Sequence, residues 1–354
     1  MKINEITEKI KPLDTSLKEA IQKHLDFLTK PPGSLGRLEE LAMQYALIRG
    51  TDKPTLTKKK IFTFAGDHGV AAEGVSAFPP EVTKLMVDNM LQGGAAVNVL
   101  SAFAGVDVSV VDAGVAGEAP SEQILQNKKT EFINGKIRAG SRNMANEPAM
   151  TMDETIQAIN LGIQCAIDAK ESGYDIIGTG EMGIANTTPS SAIYATLLPS
   201  SVEKTTGIGT GVDEKALANK IEIIKKAIKT NETLLTDPIS ILSALGGFEI
   251  AAITGLILGG AALRIPVVID GYISSAAALV ACRYKPATLD CLFFSHYSAE
   301  NGYREFTEKF EIKPLLDLQM RLGEGTGAAL AINLIEASVK VYNEMATFAD
   351  LGLA

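Results

Sequence analysis

Tryptophan is absent from the chain, and 12 Phe with 8 Tyr bring the aromatic share to only 6%. So few flat side chains exclude the stacking platforms that single-stranded nucleic acids need. A net charge of -9 at pH 7 works in the same direction, because it repels nucleic acid and anionic membrane surfaces. Only three cysteines occur, Cys165, Cys282 and Cys291, in neither CxxC spacing nor an even number. That pattern suits a reducing compartment and offers neither a disulfide framework nor a thiolate metal site. The three histidines, His24, His68 and His296, form no HxxxH or HExxH pair, so no metal is expected. Long apolar runs are missing too. Ile250 to Leu263 stops short of the ~20 residues that a membrane span requires. The start of the chain, Met1 to Leu13, mixes Lys, Glu and Asn and is no signal peptide, so the expected location is cytoplasmic.

What is present is the composition of a globular protein, 46% hydrophobic and 21% charged over 354 residues. Residues 1–50 read as helices, with Ile6, Ile10 and Leu13, then Leu38, Leu41 and Tyr45, at helical spacing. The Pro- and Gly-rich stretch Lys30 to Gly36 separates them, and polar Gly50 to Lys60 marks a boundary. From residue 61 the pattern changes to short β-rich runs between long helical segments, which predicts a parallel α/β sheet flanked by helices. Five strands are expected, at Ile61–Ala65, Val106–Val111, Asp175–Ile177, Pro266–Ile269 and Cys291–Phe294. Crossover helices are expected over Glu81–Phe103, Asp153–Ser172, Asp213–Thr230 and Phe248–Leu263. Gly327 to Thr347, the last helical pattern, can join the N-terminal helices. This divides the chain into a small helical domain, 1–55 plus about 325–354, and a large α/β domain over 56–324.

Each strand runs straight into small or polar residues: Gly66-Asp67-His68, Asp112-Ala113-Gly114, Gly178-Thr179-Gly180-Glu181, Asp270-Gly271 and Ser295-His296. Ligand crevices of open parallel sheets lie beyond the carboxyl ends of their strands. Five such tips therefore read as one composite active site. Three glycine-rich motifs add detail. Gly178 to Gly183 fits the dinucleotide spacing GxGxxG, but Glu181 would set a carboxylate against a pyrophosphate. The Asn186-Thr187-Thr188 that follows is better suited to holding one phosphate at a helix start. Gly207-Ile208-Gly209-Thr210-Gly211 is a second flexible loop, before a helix carrying Lys215 and Lys220. In Arg321-Leu322-Gly323-Glu324-Gly325, glycines on both sides let a ligand approach Glu324, which reads as a general base rather than a helix-dipole charge. Met86 and Met90 form an apolar stripe whose ordinary meaning is core, with one edge open to a flat ligand.

In this order the motifs resemble the nicotinate-nucleotide:dimethylbenzimidazole phosphoribosyltransferase family. The segments that carry the resemblance are KPPGSLGRLEELA (30–42), FAGDHGV (64–70), GEMGIANTTP (180–189), GGFEIAAITG (246–255), VVIDGYISSAAAL (267–279), SHYSAENG (295–302) and RLGEGTGAALA (321–331). The resemblance implies a Rossmann-like domain with a small helical domain, a homodimer, and no cofactor. It implies transfer of ribose 5-phosphate from nicotinate mononucleotide to 5,6-dimethylbenzimidazole or a related base, giving nicotinate and α-ribazole 5′-phosphate. Carried over by position, Glu324 and Glu181 are the expected catalytic residues. Gly183, Ile184, Ala185, Asn186, Thr187, Thr188, Gly209, Lys220, Glu249, Gly271 and Ser298 are the expected nucleotide contacts. Phe78, Met86 and Leu322 are the expected base contacts, in a region apolar here where relatives can carry Ser and Gln. Residues 118–132 read as an inserted surface loop. Two other readings compete: an NAD-dependent oxidoreductase using Gly178–Gly183 with Glu203 as its ribose acid, and a nucleotide sensor without catalysis.

Overall fold

In the computed structural model, residues 3–207 and 213–353 are described, and six strands form one sheet in the order β3-β2-β1-β4-β5-β6. The strands are β1 Lys59–Gly66, β2 Asp107–Gly114, β3 Glu131–Asn134, β4 Ile176–Met182, β5 Val267–Ile269 and β6 Leu292–Phe294. Every neighbouring pair is parallel. This 3-2-1-4-5-6 order is that of the Rossmann fold, with its switch point between β1 and β4. All five expected strands are there. The sixth, β3, lies where a surface loop is expected, preceded by a short helix over Glu122–Asn127.

Two further differences have physical reasons. The segment Glu81–Phe103 is two helices, α1 (Glu81–Leu91) and α2 (Ala96–Ala104), because Gly93-Gly94 breaks it and Gly93 takes a left-handed turn, φ +82°. Strand β4 continues to Met182, so Gly178 and Gly180 are strand residues and not a dinucleotide-binding turn. Glu203, the acid that turn would need, sits on a one-turn helix in an exposed pair with Lys225.

After β3 comes α3 (Met152–Glu171), started by a capping box between Thr151 and Glu154. Next are α4 (Thr187–Leu197), α5 (Glu214–Thr230) and α6 (Phe248–Leu263). Helix α6 is buried all round, which is why its sequence is apolar without periodicity. It is followed by α7 (Tyr272–Tyr284) and, last, α8 (Thr326–Glu344). Helix α8 spans two apolar clusters. Its first half, including Ala328, Ala331, Ile332 and Ile335, belongs to the main core. Tyr342, near its end, packs with Ile21, Leu25, Ala42 and Ala46 of the N-terminal helices. Among the described residues, no helix is long and apolar enough to cross a membrane.

Candidate active site

The chemistry collects where the switch-point rule places it, at the carboxyl ends of β1, β4 and β5. Glu324 is held there by an unusual turn. Gly323, Glu324 and Gly325 all have positive φ, +87°, +65° and +101°, which costs a glutamate of order 1 kcal/mol or more. Three contacts hold that conformation. The Glu324 carbonyl accepts from Thr63 Oγ1 at 2.8 Å, its amide donates to the Glu181 carbonyl at 3.2 Å, and the Gly325 amide donates to Asp270 at 3.1 Å. Asp270 also accepts from Ala328 N at 3.0 Å, so this fully buried carboxylate caps α8. The Glu324 carboxylate lies in contact with the start of α2, accepting from Val97 N at 3.4 Å. Burial raises its pKa, the Val97 amide opposes that, and Asp270 adds to the rise.

Glu181, the next-to-last residue of β4, touches both halves of the site. Its carbonyl holds the Glu324 amide, and its carboxylate accepts from Asn186 Nδ2. Burial pushes this carboxyl up to about 8, against the Asn186 hydrogen bond and with help from Asp270, Glu249 and Glu324. A carboxyl so raised keeps its proton to higher pH than an exposed glutamate does. From Glu181 the chain turns through Gly183, Ile184 and Ala185, the last at φ +74°, into α4. The Ile184 amide donates to Thr83 Oγ1 of α1 at 3.1 Å.

Asn186, Thr187 and Thr188 form the first turn of α4, whose positive dipole end favours an anion, while the Asn186 and Thr188 amides already donate to the Gly183 and Ala185 carbonyls at 3.2 and 2.9 Å. Thr188 Oγ1 is fully buried with no protein partner. Lys220, 1% exposed on α5, donates to Thr187 Oγ1 at 2.8 Å and to the Gly207 carbonyl at 3.4 Å. Burial pulls its ammonium down to about 8, while Glu300 supports the charge. Gly209 lies outside the described residues.

The remaining expected contacts fall into two groups. Gly271 caps α7 against His296, and Ser298 is half-buried, accepting from the Glu300 amide at 3.4 Å. Glu249 is wholly buried and bonded to His68. Phe78 is 52% and Leu322 57% exposed, while Met86 is half-buried against the core. Thr63 and Thr83 are missing from the sequence-derived site, and Asp270 enters it only as a strand tip, with no role of its own. Asp270 alone carries a signal, as an acid at a strand tip. Among the described residues, no three His, Cys, Asp or Glu side chains converge as metal ligands would.

Residues 10–353 match the Phosphoribosyltransferase family. The curated relative from Chlorobaculum parvum, named nicotinate-nucleotide–dimethylbenzimidazole phosphoribosyltransferase, is 55% identical over 100% of this chain and 98% of its own. One of the same name from Pelodictyon phaeoclathratiforme is 56% identical over 98% and 96%. Among solved structures, the enzyme of that name from Thermus thermophilus superposes with a TM-score of 0.89 at 38% identity, covering 97% of this chain and 99% of that one. A carboxylate on a strained turn, bridged through Glu181 to an anion-ready helix start, thus sits in a chain that belongs to the nicotinate-nucleotide–dimethylbenzimidazole phosphoribosyltransferase family.

Proposed function

We propose that this chain transfers ribose 5-phosphate from nicotinate mononucleotide to 5,6-dimethylbenzimidazole or a related base, with Glu324 as the general base. One observation carries the reading: Glu181 joins the Glu324 turn and the Asn186-Thr187-Thr188 turn into a single site. The phosphate belongs at Thr187, Thr188 and Lys220, where a helix start, a hydroxyl without a partner and a buried cation meet. The base belongs beside Glu324, between Phe78, Met86 and Leu322. Exposed apolar groups there gain from burial against a flat ring.

The reaction asks little of the protein. Nicotinate joined to ribose C1′ is a pyridinium, so its departure neutralises the ring and requires no acid. One benzimidazole nitrogen attacks C1′ from the opposite face, inverting β to α, while Glu324 accepts the proton of the other. Burial raises the basicity of Glu324 and so favours that transfer. The substrate's pyridinium lowers the raised pKa of Glu181 again, as does positive charge developing on the ribose. Holding both rings in line supplies the entropic part of the acceleration.

The test is direct. Incubation of the chain with nicotinate mononucleotide and 5,6-dimethylbenzimidazole is expected to release nicotinate and form α-ribazole 5′-phosphate in equal amounts, read by liquid chromatography with mass detection. Absence of both products would remove the activity. The phosphate site has its own test. Lys220→Met removes a buried cation at similar volume, so the fold is expected to survive. A hydrogen bond to a charged group is worth ~1.5–3 kcal/mol, so KM for nicotinate mononucleotide should rise roughly 10- to 100-fold. The ammonium is charged below about 8 and lost above it. The native KM should therefore climb as pH passes 8, and that climb should be missing from the variant. A climbing KM in the variant would assign the limb to another group.

The same reading takes the helices at both chain ends as a small helical domain, supported by their separate apolar cluster. It takes the protein as a homodimer, for which Val99 and Phe103, one turn apart on α2 and exposed, are candidate contacts. Three buried free thiols accord with a cytoplasmic setting.

A further inference from the structure

His68 and Glu249 belong to motifs with no step in this reaction, yet they form a deeply buried polar pair. Their side chains are 1% and 0% exposed, with His68 Nε2 at 2.7 Å from Glu249 Oε1. Such a pair loses the hydration of both groups and is weak evidence for stability alone. Its position is more telling. His68 follows the tip of β1, Glu249 sits in the first turn of α6, and the His68 ring lies against the start of the 183–188 loop. A Cβ on Gly183 would collide with the Gly66 carbonyl and would lie 3.3 Å from His68 Nε2 and 3.4 Å from Asn186 Nδ2. The same Asn186 nitrogen donates to Glu181. The order of contact is therefore Glu249, His68, Gly183 with Asn186, then Glu181. At the other end, a Cβ on Gly247 would collide with His68 Cε1, so the ring is clamped against the start of α6.

We infer that His68 and Glu249 are positioning residues that act as one unit, fixing the origin of the 183–188 loop so that Thr187 and Thr188 face the substrate phosphate. This rests on the phosphate placement proposed above, and it assigns Glu249 no direct contact with the nucleotide. The imidazole is well suited to the task. The Glu249 carboxylate, opposing the cost of burial, raises its pKa, which favours the protonated ring and a charge-assisted bond.

Isothermal titration of the full-length protein with nicotinate mononucleotide, and with nicotinate riboside that lacks the phosphate, tests the assignment. In His68→Ala and in Glu249→Ala the Kd for the mononucleotide should rise ~10–100-fold, the range seen when a partner that orients a metal ligand is removed. The Kd for the riboside should stay within about twofold. A general loosening of the fold would weaken both ligands alike, and that result would overturn the inference. The double variant should be no worse than the weaker-binding single, because contacting residues of one unit are not additive. A double effect equal to the product of the singles would also overturn it. Glu249→Gln keeps the volume and an acceptor for His68, so it should recover mononucleotide binding to within about fivefold of native and serves where an alanine variant does not fold. A glutamine variant as weak as alanine, or native affinity in every variant, would refute the pair. Native protein that binds the riboside as tightly as the mononucleotide would refute the phosphate placement itself, and this inference with it.

Discussion

Glu324→Gln is expected to lower kcat about 10²–10⁴-fold while leaving the Kd for nicotinate mononucleotide within about threefold of native, a span set by the usual worth of general-base assistance. The substitution isolates the chemistry because it changes so little else. Glutamine accepts from Val97 N as glutamate does, and it takes the left-handed conformation of residue 324 at a similar cost. The contacts that hold the turn come from the main chain of residues 324 and 325 and from Thr63 and Asp270, none of which is altered. The proton acceptor is lost, since a neutral amide cannot take the benzimidazole N–H proton. Bases without a ring N–H provide an internal control: with an N-alkylated benzimidazole, which has no proton for residue 324 to accept, native and variant rates should converge. Single-turnover kcat near native with 5,6-dimethylbenzimidazole would take the base role from Glu324. A large rise in the mononucleotide Kd would instead make the residue a binding group.

Why Glu324 is legible in the sequence, while much that supports it is not, follows from the range of the interactions. A glutamate between glycines ahead of an apolar helix announces itself locally, as does Asn-Thr-Thr after a strand. Strands β1 and β2 declare themselves through β-branched and aromatic runs. Strand β3 does not, because Glu131–Asn134 is a short edge segment, half-exposed in its middle and exposed at its ends. The break in Glu81–Phe103 is visible as Gly93-Gly94, but the apolar periodicity on either side masks it. Asp270 holds the Gly325 and Ala328 amides, and His68 holds Glu249. Both depend on which strand tips become neighbours, and that is fixed by the 3-2-1-4-5-6 order rather than by local sequence. The same holds for Glu181. A carboxyl pushed up to about 8 is a property of its surroundings, and only the assembled site supplies them.

Gly180 joins these two themes, and its replacement should be the second most damaging. Gly178-Thr179-Gly180 reads locally as a loop, yet these residues run inside β4. Glycine in a strand weakens it unless another backbone must come close. Here one does: a Cβ on residue 180 would collide with the Glu324 carbonyl oxygen and stand 2.6 Å from its carbon. Neither atom belongs to a side chain that can rotate away, so the strained turn itself must shift. Displacing a catalytic group by ~1 Å can cost 10²-fold, and Gly180→Ala should lower kcat on that scale. Gly178 offers the comparison that separates misplacement from simple destabilisation. Its Cβ would meet Ile61 Cγ1 at 2.8 Å and Ala328 Cβ at 3.2 Å, which are side-chain atoms of the core. Gly178→Ala should behave as an overpacked core, losing ~1–3 kcal/mol of stability in a urea melt while folded enzyme keeps its kcat. Equal loss of kcat in the two variants, or a Gly180→Ala enzyme as fast as native, would mean that contact between β4 and the 323–325 turn does not set the position of Glu324.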